Sequence, residues 1–429
     1  MADLIHIEGG IPLEGEVRVS GAKNAALPLL ISSLLTADKC IFSNVPELED
    51  ISVTLKLLSN LGAQVHWDKN RVSIQAASIN RTEAPYGLVR SLRASFWVLG
   101  PLLSRVGEAR VSLPGGDAIG SRPVDLHLLG LEKMGADIEL AHGVVAAKAE
   151  GGLRGARIDL GFPSVGATHQ ILMAAALVPE ETVIKNAAAE PEVSALGQHL
   201  VSMGVEIEGL GSSTLKILGR TNLSGALTRV LGDRIEAATY LGAAALTGGK
   251  VVLKGIDPRM LHSTIEVFQS AGCEVETGED WISLRSLGRL KSVDMETAPF
   301  PGLATDVQPL LMAAMCVADG ESKVSEKIFE SRFGHVAEFR RFGAKISVEG
   351  DTALVEGLER LSGAPVEAGD IRAAAALVLL GLVADGKTVI DGVYHLDRGY
   401  DGLCEKLVRL GARIERVAET ENEELVLGC

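Results

Sequence analysis

Aromatic side chains make up only 4% of this 429-residue chain, which argues against surfaces that stack nucleic-acid bases. Positive charge is also in short supply. Lys and Arg number 41 against 56 Asp and Glu, a formal net charge of −15, so general affinity for nucleic acid or for an anionic membrane is not expected. A few convergent arginines would still suffice to hold an anionic small molecule. The five cysteines (Cys40, Cys273, Cys316, Cys404 and Cys429) are scattered, odd in number and without a CxxC pair. A disulfide framework and a zinc site are therefore not expected. The nine histidines show no HExxH spacing, so no metal or cofactor is called for. The longest apolar run, Ala373 to Ala384, is too short to span a bilayer. The N-terminus has no basic stretch leading into a long apolar one, so no secretory signal is expected, and the reading is a cytoplasmic protein.

What is present is repetition. A helix-like segment ends in an apolar residue, then Gly, a small residue, any residue, and Val or Ile. It occurs at Leu61-Gly62-Ala63-Gln64-Val65 and five times more, with glycines at 135, 204, 272, 343 and 411. The steps are 73, 69, 68, 71 and 68 residues. Gly suits the residue after a helix, and the β-branched residue that follows opens a strand. Each repeat also carries a block of small apolar residues: Ala25 to Leu35, Ala94 to Leu103, Ala167 to Leu177, Ala237 to Leu246, Val307 to Val317 and Ala373 to Val383. These blocks are apolar nearly all round, the mark of buried helices, whereas the helices ending in Gly are amphipathic and belong outside.

Six repeats in a chain of this length predict two α/β domains of three repeats each. The expected boundaries are 23–231 for one domain and 1–22 with 232–429 for the other. The N-terminal strand, read as Leu4 to Gly21, has no partner nearby and is expected to pair with the C-terminal domain.

The stretch Leu113-Pro114-Gly115-Gly116-Asp117-Ala118-Ile119-Gly120-Ser121-Arg122-Pro123 concentrates the chemistry. Three glycines within six residues free the backbone, a carboxylate sits at the tip, and a fixed cation precedes a helix start. A solvated surface turn is the plain alternative. Elsewhere, Lys23 and Asn24 open the first buried helix, where donors at a helix N-terminus could cradle an anion or simply face water. Arg93 stands one turn before Trp97, either as a ligand or as an arginine reaching out from a helix end. Ser164, Val165 and Gly166 start the third buried helix and suit either a phosphate or a cap. Asp306 precedes the fifth as a base or a cap. Arg332, Arg372 and Arg398 each lie within two residues of a carboxylate, as surface ion pairs or as part of a funnel for a polyanion.

The segments 20–28, 114–127, 164–168, 233–236, 305–306 and 395–400 together resemble the enolpyruvyl transferase family, along the whole chain and in order. The match is to its branch acting on UDP-N-acetylglucosamine rather than to the shikimate-pathway branch. The resemblance implies a two-domain inside-out α/β barrel of six βαβαββ repeats, with the active site in the cleft. It implies the first committed step of peptidoglycan synthesis. In that reaction the 3-hydroxyl of the nucleotide sugar adds to C2 of phosphoenolpyruvate, and the tetrahedral intermediate then loses phosphate. By the same resemblance Lys23, Asn24, Arg122 and Arg398 would hold phosphoenolpyruvate. Arg93, Arg122, Pro123, Val124, Asp125, Leu126, Ser164, Val165, Gly166, Asp306 and Ile328 would line the nucleotide-sugar site. Lys23 and Arg398 would take part in catalysis, Asp306 would be the base, and Arg332 and Arg372 would add cations.

Partners would be these two small molecules, without nucleic acid, membrane or a required oligomer. A non-catalytic nucleotide-sugar sensor of the same fold is the alternative, but it would not need both Asp117 and Asp306. Two departures stand out. Asp117 replaces the cysteine that most members use as general acid and that fosfomycin alkylates, so resistance to fosfomycin is expected. An ordinary Asp, with a pKa of about 3.9, would be only about 0.1% protonated at pH 7, so this one needs a raised pKa. Phe162 stands where some members have a phosphate-binding lysine.

Overall fold

The computed structural model describes residues 3–89, 92–114 and 124–418. They fall into two compact units, one of residues 21–114 and 124–231, the other of residues 3–20 and 232–418. In the first unit the small-residue blocks form helices α1 (Lys23–Ser32), α2 (Leu99–Val106) and α3 (Val165–Ala175). The second unit holds α4 (Arg234–Thr247), α5 (Gln308–Met315) and α6 (Ile371–Val383). All six are deeply buried, and every residue of α6 from Ile371 to Leu382 is enclosed.

Small residues are what let these helices approach one another. A Cβ on Gly100 of α2 would lie 2.8 Å from the Gln170 carbonyl of α3. The second block departs from the expected single helix. Its first half, Arg93–Val98, is a 3₁₀ helix. Pro101 explains this, because it has no N–H to bond the Trp97 carbonyl and its ring crowds that position, so the α pattern cannot run back through it.

The amphipathic helices, among them Glu49–Leu61, Pro191–Met203 and Leu403–Arg409, lie outside the buried ones. All six repeat glycines have positive φ, from +89° at Gly343 to +115° at Gly62. A strand begins two residues after each, for example Gln64–Asp68 after Gly62 and Arg413–Ala418 after Gly411.

The strands form six four-stranded sheets of one common pattern. In one of them, Glu181–Lys185 pairs parallel with Arg157–Asp159 and antiparallel with Thr214–Leu218, which pairs antiparallel with Glu206–Glu208. Each unit closes on itself. In the first, Leu227–Arg229 runs parallel to Lys39–Ser43. In the second, the N-terminal segment does the closing, as two strands rather than the single one expected. Asp3–Glu8 lies between Lys387–Asp391 and Arg413–Ala418, and Glu14–Arg18 runs parallel to Lys250–Lys254. The break falls at Gly9-Gly10-Ile11-Pro12, where Gly10 has φ +87°. Residues 3–18 thus do for the second unit what residues 214–229 do for the first.

Candidate active site

In the second unit the starts of α5 and α6 and the turn at Arg332 meet at one carboxylate. Asp306 lies two residues ahead of α5. Its Oδ1 accepts from Arg332 Nη2 at 3.2 Å, and its Oδ2 accepts from Arg372 Nη2 at 3.0 Å. Both arginine side chains are buried, at 2% and 7% exposure, whereas Asp306 keeps 28%. The reading of these arginines as surface ion pairs with their sequence neighbours is therefore corrected. They meet at Asp306 because buried guanidiniums need a carboxylate, and the fold supplies one ahead of α5, to Arg332 within the same repeat and to Arg372 in the next. The reading of Asp306 as a plain cap is corrected too. The residue capping α5 is Val307, with no side-chain cap, and the carboxylate is taken up by the two arginines.

The capping role belongs to Asp370, which accepts from the N–H groups of Arg372 and Ala373 at the start of α6 and sits 3.9 Å from Arg332. Burial works against the Arg372 charge, but Asp306, Tyr400 and Asp233 together raise the guanidinium pKa above its ordinary value. The Tyr400 ring lies 5.7 Å from the same guanidinium. Arg398 follows the short helix Tyr394–Asp397 and is half-buried. Its neighbour Asp397 is bonded at both oxygens by Arg416, at 2.6 and 2.8 Å.

Ile328 lies in the turn after strand Glu321–Ser325. A residue that the sequence did not single out organises this turn: Glu326, a buried carboxylate. Its Oε1 accepts from the N–H groups of Ile328 at 2.8 Å and Phe329 at 3.1 Å. A buried acid followed by Lys is a signal only in hindsight, since nothing local says which donors it will meet.

In the first unit, Lys23 opens α1 and is buried, with Nζ 3.0 Å from Asp50 Oδ2. The solvated-lysine reading is corrected. Asp50, in the first turn of the next helix, went unnoticed because it lies 27 residues away. Asn24 beside it is half-buried.

A second cluster surrounds the start of α3. Ser164 caps it by accepting from Ala167 N at 3.3 Å, and the Thr168 hydroxyl donates to the Ser164 carbonyl at 2.8 Å. Capping thus accounts for Ser164 alone: the Thr168 hydroxyl also accepts from Ala188 N at 3.1 Å and ties the helix to that segment, while Val165 and Gly166 stay partly accessible. The Trp97 indole donates to the Gly166 carbonyl at 3.0 Å, and a Cβ on Gly166 would lie 2.9 Å from His127 Nε2. His127 belongs to helix Asp125–Lys133, which also carries Leu126 and follows Val124. Burial, and then the charge of Arg93, bring the His127 pKa down to about 3, so the ring is neutral. The structure thus brings Arg93, Gly166 and the 124–127 segment together. Asp117, Arg122 and Pro123 lie outside the described residues.

With this geometry in hand, the comparisons with known proteins are specific. The sequence profile of EPSP synthase (3-phosphoshikimate 1-carboxyvinyltransferase) matches residues 7–407. The UDP-N-acetylglucosamine 1-carboxyvinyltransferase of Shewanella amazonensis is 50% identical over 416 residues, covering 97% of this chain and all of the relative. That of Xanthobacter autotrophicus is 50% identical over 427 residues with the same coverage. Among solved structures, the enolpyruvyl transferase NikO from Streptomyces tendae aligns with a TM-score of 0.87 at 27% identity, over 98% of this chain and all of that one. EPSP synthase from Acinetobacter baumannii shares the fold, with a TM-score of 0.77 at 21% identity over 97% of this chain. Matched from end to end in sequence and in fold, the chain belongs to the enolpyruvyl transferase family.

Proposed function

We propose that this protein transfers the enolpyruvyl group of phosphoenolpyruvate to the 3-hydroxyl of UDP-N-acetylglucosamine with release of phosphate, in the cytoplasm, as the committing step toward peptidoglycan. The observation that supports it most is Asp306. It is a carboxylate oriented by two buried guanidiniums, in a chain half-identical over its length to enzymes named for that reaction. Two N–H···O contacts, one from the turn at Arg332 and one from the start of α6, leave the carboxylate little freedom to turn, which suits a base that must meet one hydroxyl.

In the addition step, Asp306 takes the proton of the sugar 3-hydroxyl as its oxygen bonds to C2 of phosphoenolpyruvate. Asp117 delivers a proton to C3. In the elimination step a proton leaves C3, the C2–O bond to phosphate breaks and the double bond re-forms. Lys23, Asn24, Arg122 and Arg398 hold the phosphate and carboxylate of phosphoenolpyruvate. Arg93, Val124, Asp125, Leu126 and the Ser164–Gly166 helix start hold the nucleotide sugar, with Pro123 and Ile328. Proton NMR of the product tests this. Vinyl protons of an enol ether on the sugar are expected only when both substrates and the protein are present. Nucleotide-sugar binding without any such product would favour a sensor instead.

A further inference from the structure

The Glu326 carboxylate is joined to two chain segments that carry different parts of the proposed acceptor site. Oε2 accepts from the Thr305 hydroxyl at 3.0 Å, next to Asp306 in the chain. Oε1 accepts from the Thr297 hydroxyl at 2.9 Å and from the N–H groups of Ile328 and Phe329. The Thr297 oxygen in turn accepts from Lys327 N at 2.9 Å, which fixes its own proton on Glu326. Six residues further on, Arg332 reaches back to Asp306. The segments 305–306 and 326–332 are therefore cross-linked twice, at Thr305–Glu326 and at Asp306–Arg332. A buried carboxylate with four donors makes a stiff joint, because losing it would leave two N–H groups and two hydroxyls unsatisfied.

We infer that Glu326 is a positioning residue for the acceptor sugar: it holds the Ile328 turn and the Asp306 base in one register. This rests on the proposed roles of Asp306 and Ile328. The carboxylate does not touch substrate. It sets the distance between the backbone that grips the sugar and the oxygen that takes its proton. A misplacement of about 1 Å at such a joint costs roughly a hundredfold in rate. The effect belongs to the nucleotide sugar and not to phosphoenolpyruvate.

The test uses the full chain with Glu326→Gln, Thr305→Val and Asp306→Asn, measuring kcat and both KM values. In Glu326→Gln an amide NH2 replaces one of the two acceptor oxygens, so the Thr305 hydroxyl that donated to it loses its acceptor and the joint to Asp306 is altered. Its KM for UDP-N-acetylglucosamine is expected to rise by about tenfold or more, with kcat also reduced, while KM for phosphoenolpyruvate stays within about twofold. Thr305→Val cuts only the arm beside Asp306 and is expected to lower kcat by about fivefold or more with both KM values little changed. Wild-type constants in a folded Glu326→Gln, or equal rises in both KM values, would overturn the inference. If Glu326→Gln does not fold, Thr305→Val decides, and wild-type kcat there overturns it. Wild-type kcat in Asp306→Asn would instead remove the underlying reading of the base, whatever Glu326 does.

Discussion

At the scale of single residues, the proposed chemistry depends on two aspartates in different settings. Asp306 is held by Arg332 and Arg372, so its replacement removes the base and leaves two buried guanidiniums facing a neutral amide. Asp306→Asn is expected to lower kcat by roughly 10²- to 10⁴-fold, the usual contribution of a positioned base, measured as initial velocity at saturating substrates. Asp117 carries a different prediction. Fosfomycin inactivates by forming a thioether, and a carboxylate cannot form one. The wild type should keep its rate after incubation with the drug, and Asp117→Cys should lose it progressively. Inactivation of the wild type would show that Asp117 is not what decides sensitivity.

Lys23, Asp306, Arg332 and Arg372 could be picked out from the sequence as candidates, but Glu326 and Asp50 could not, nor could the pairings. Lys23 meets Asp50 and Arg372 meets Asp306 across 27 and 66 residues, and no local pattern encodes such pairings.

At the scale of elements, the helix start at Ser164 is the most exacting. Gly166 sits where its carbonyl takes the Trp97 indole N–H and where a methyl group would press on the His127 ring. Gly166→Ala is expected to raise KM for UDP-N-acetylglucosamine by about tenfold, with thermal stability falling by a few degrees or less. An unchanged KM would mean that this turn does not bind the nucleotide. The outer helices illustrate what sequence reads well. Only glycine adopts φ near +100° without strain, so a glycine recurring about every 70 residues marked all six helix ends. The 3₁₀ segment Arg93–Val98 was not legible, because small apolar residues fit a 3₁₀ turn and an α-helix equally well and only the proline downstream decides.

At the scale of the whole molecule, four histidines are buried as neutral rings. Burial brings His127 and His335 down to about 3, and His169 and His199 to about 4. In the unfolded chain each titrates near 6.5, so below that pH the unfolded state binds more protons than the folded one. Their contribution to stability is complete above pH 6.5. It is lost as the pH falls, at up to about 1.4 kcal/mol per pH unit for each histidine.

Glu236 has the opposite sign. Burial raises it to about 7 despite the Lys406 ammonium 2.5 Å away. Its contribution is present below about 4.5 and is lost as the pH rises through 7. Four groups outweigh one, so the urea midpoint should be lower at pH 5 than at pH 7, and Glu236→Gln should widen the gap. An equal or higher midpoint at pH 5 would contradict this. The repeat architecture was legible because six copies of one pattern reinforce one another. The use of residues 3–18 as two closing strands was not, because strand pairing across hundreds of residues leaves no local trace.

The most direct measurement is phosphate release from phosphoenolpyruvate by the full chain, with and without UDP-N-acetylglucosamine. Release that requires the nucleotide sugar, and that collapses in Asp306→Asn, is the expected result. Release that proceeds without the nucleotide sugar, or no release although both substrates bind, would contradict the proposed enolpyruvyl transfer.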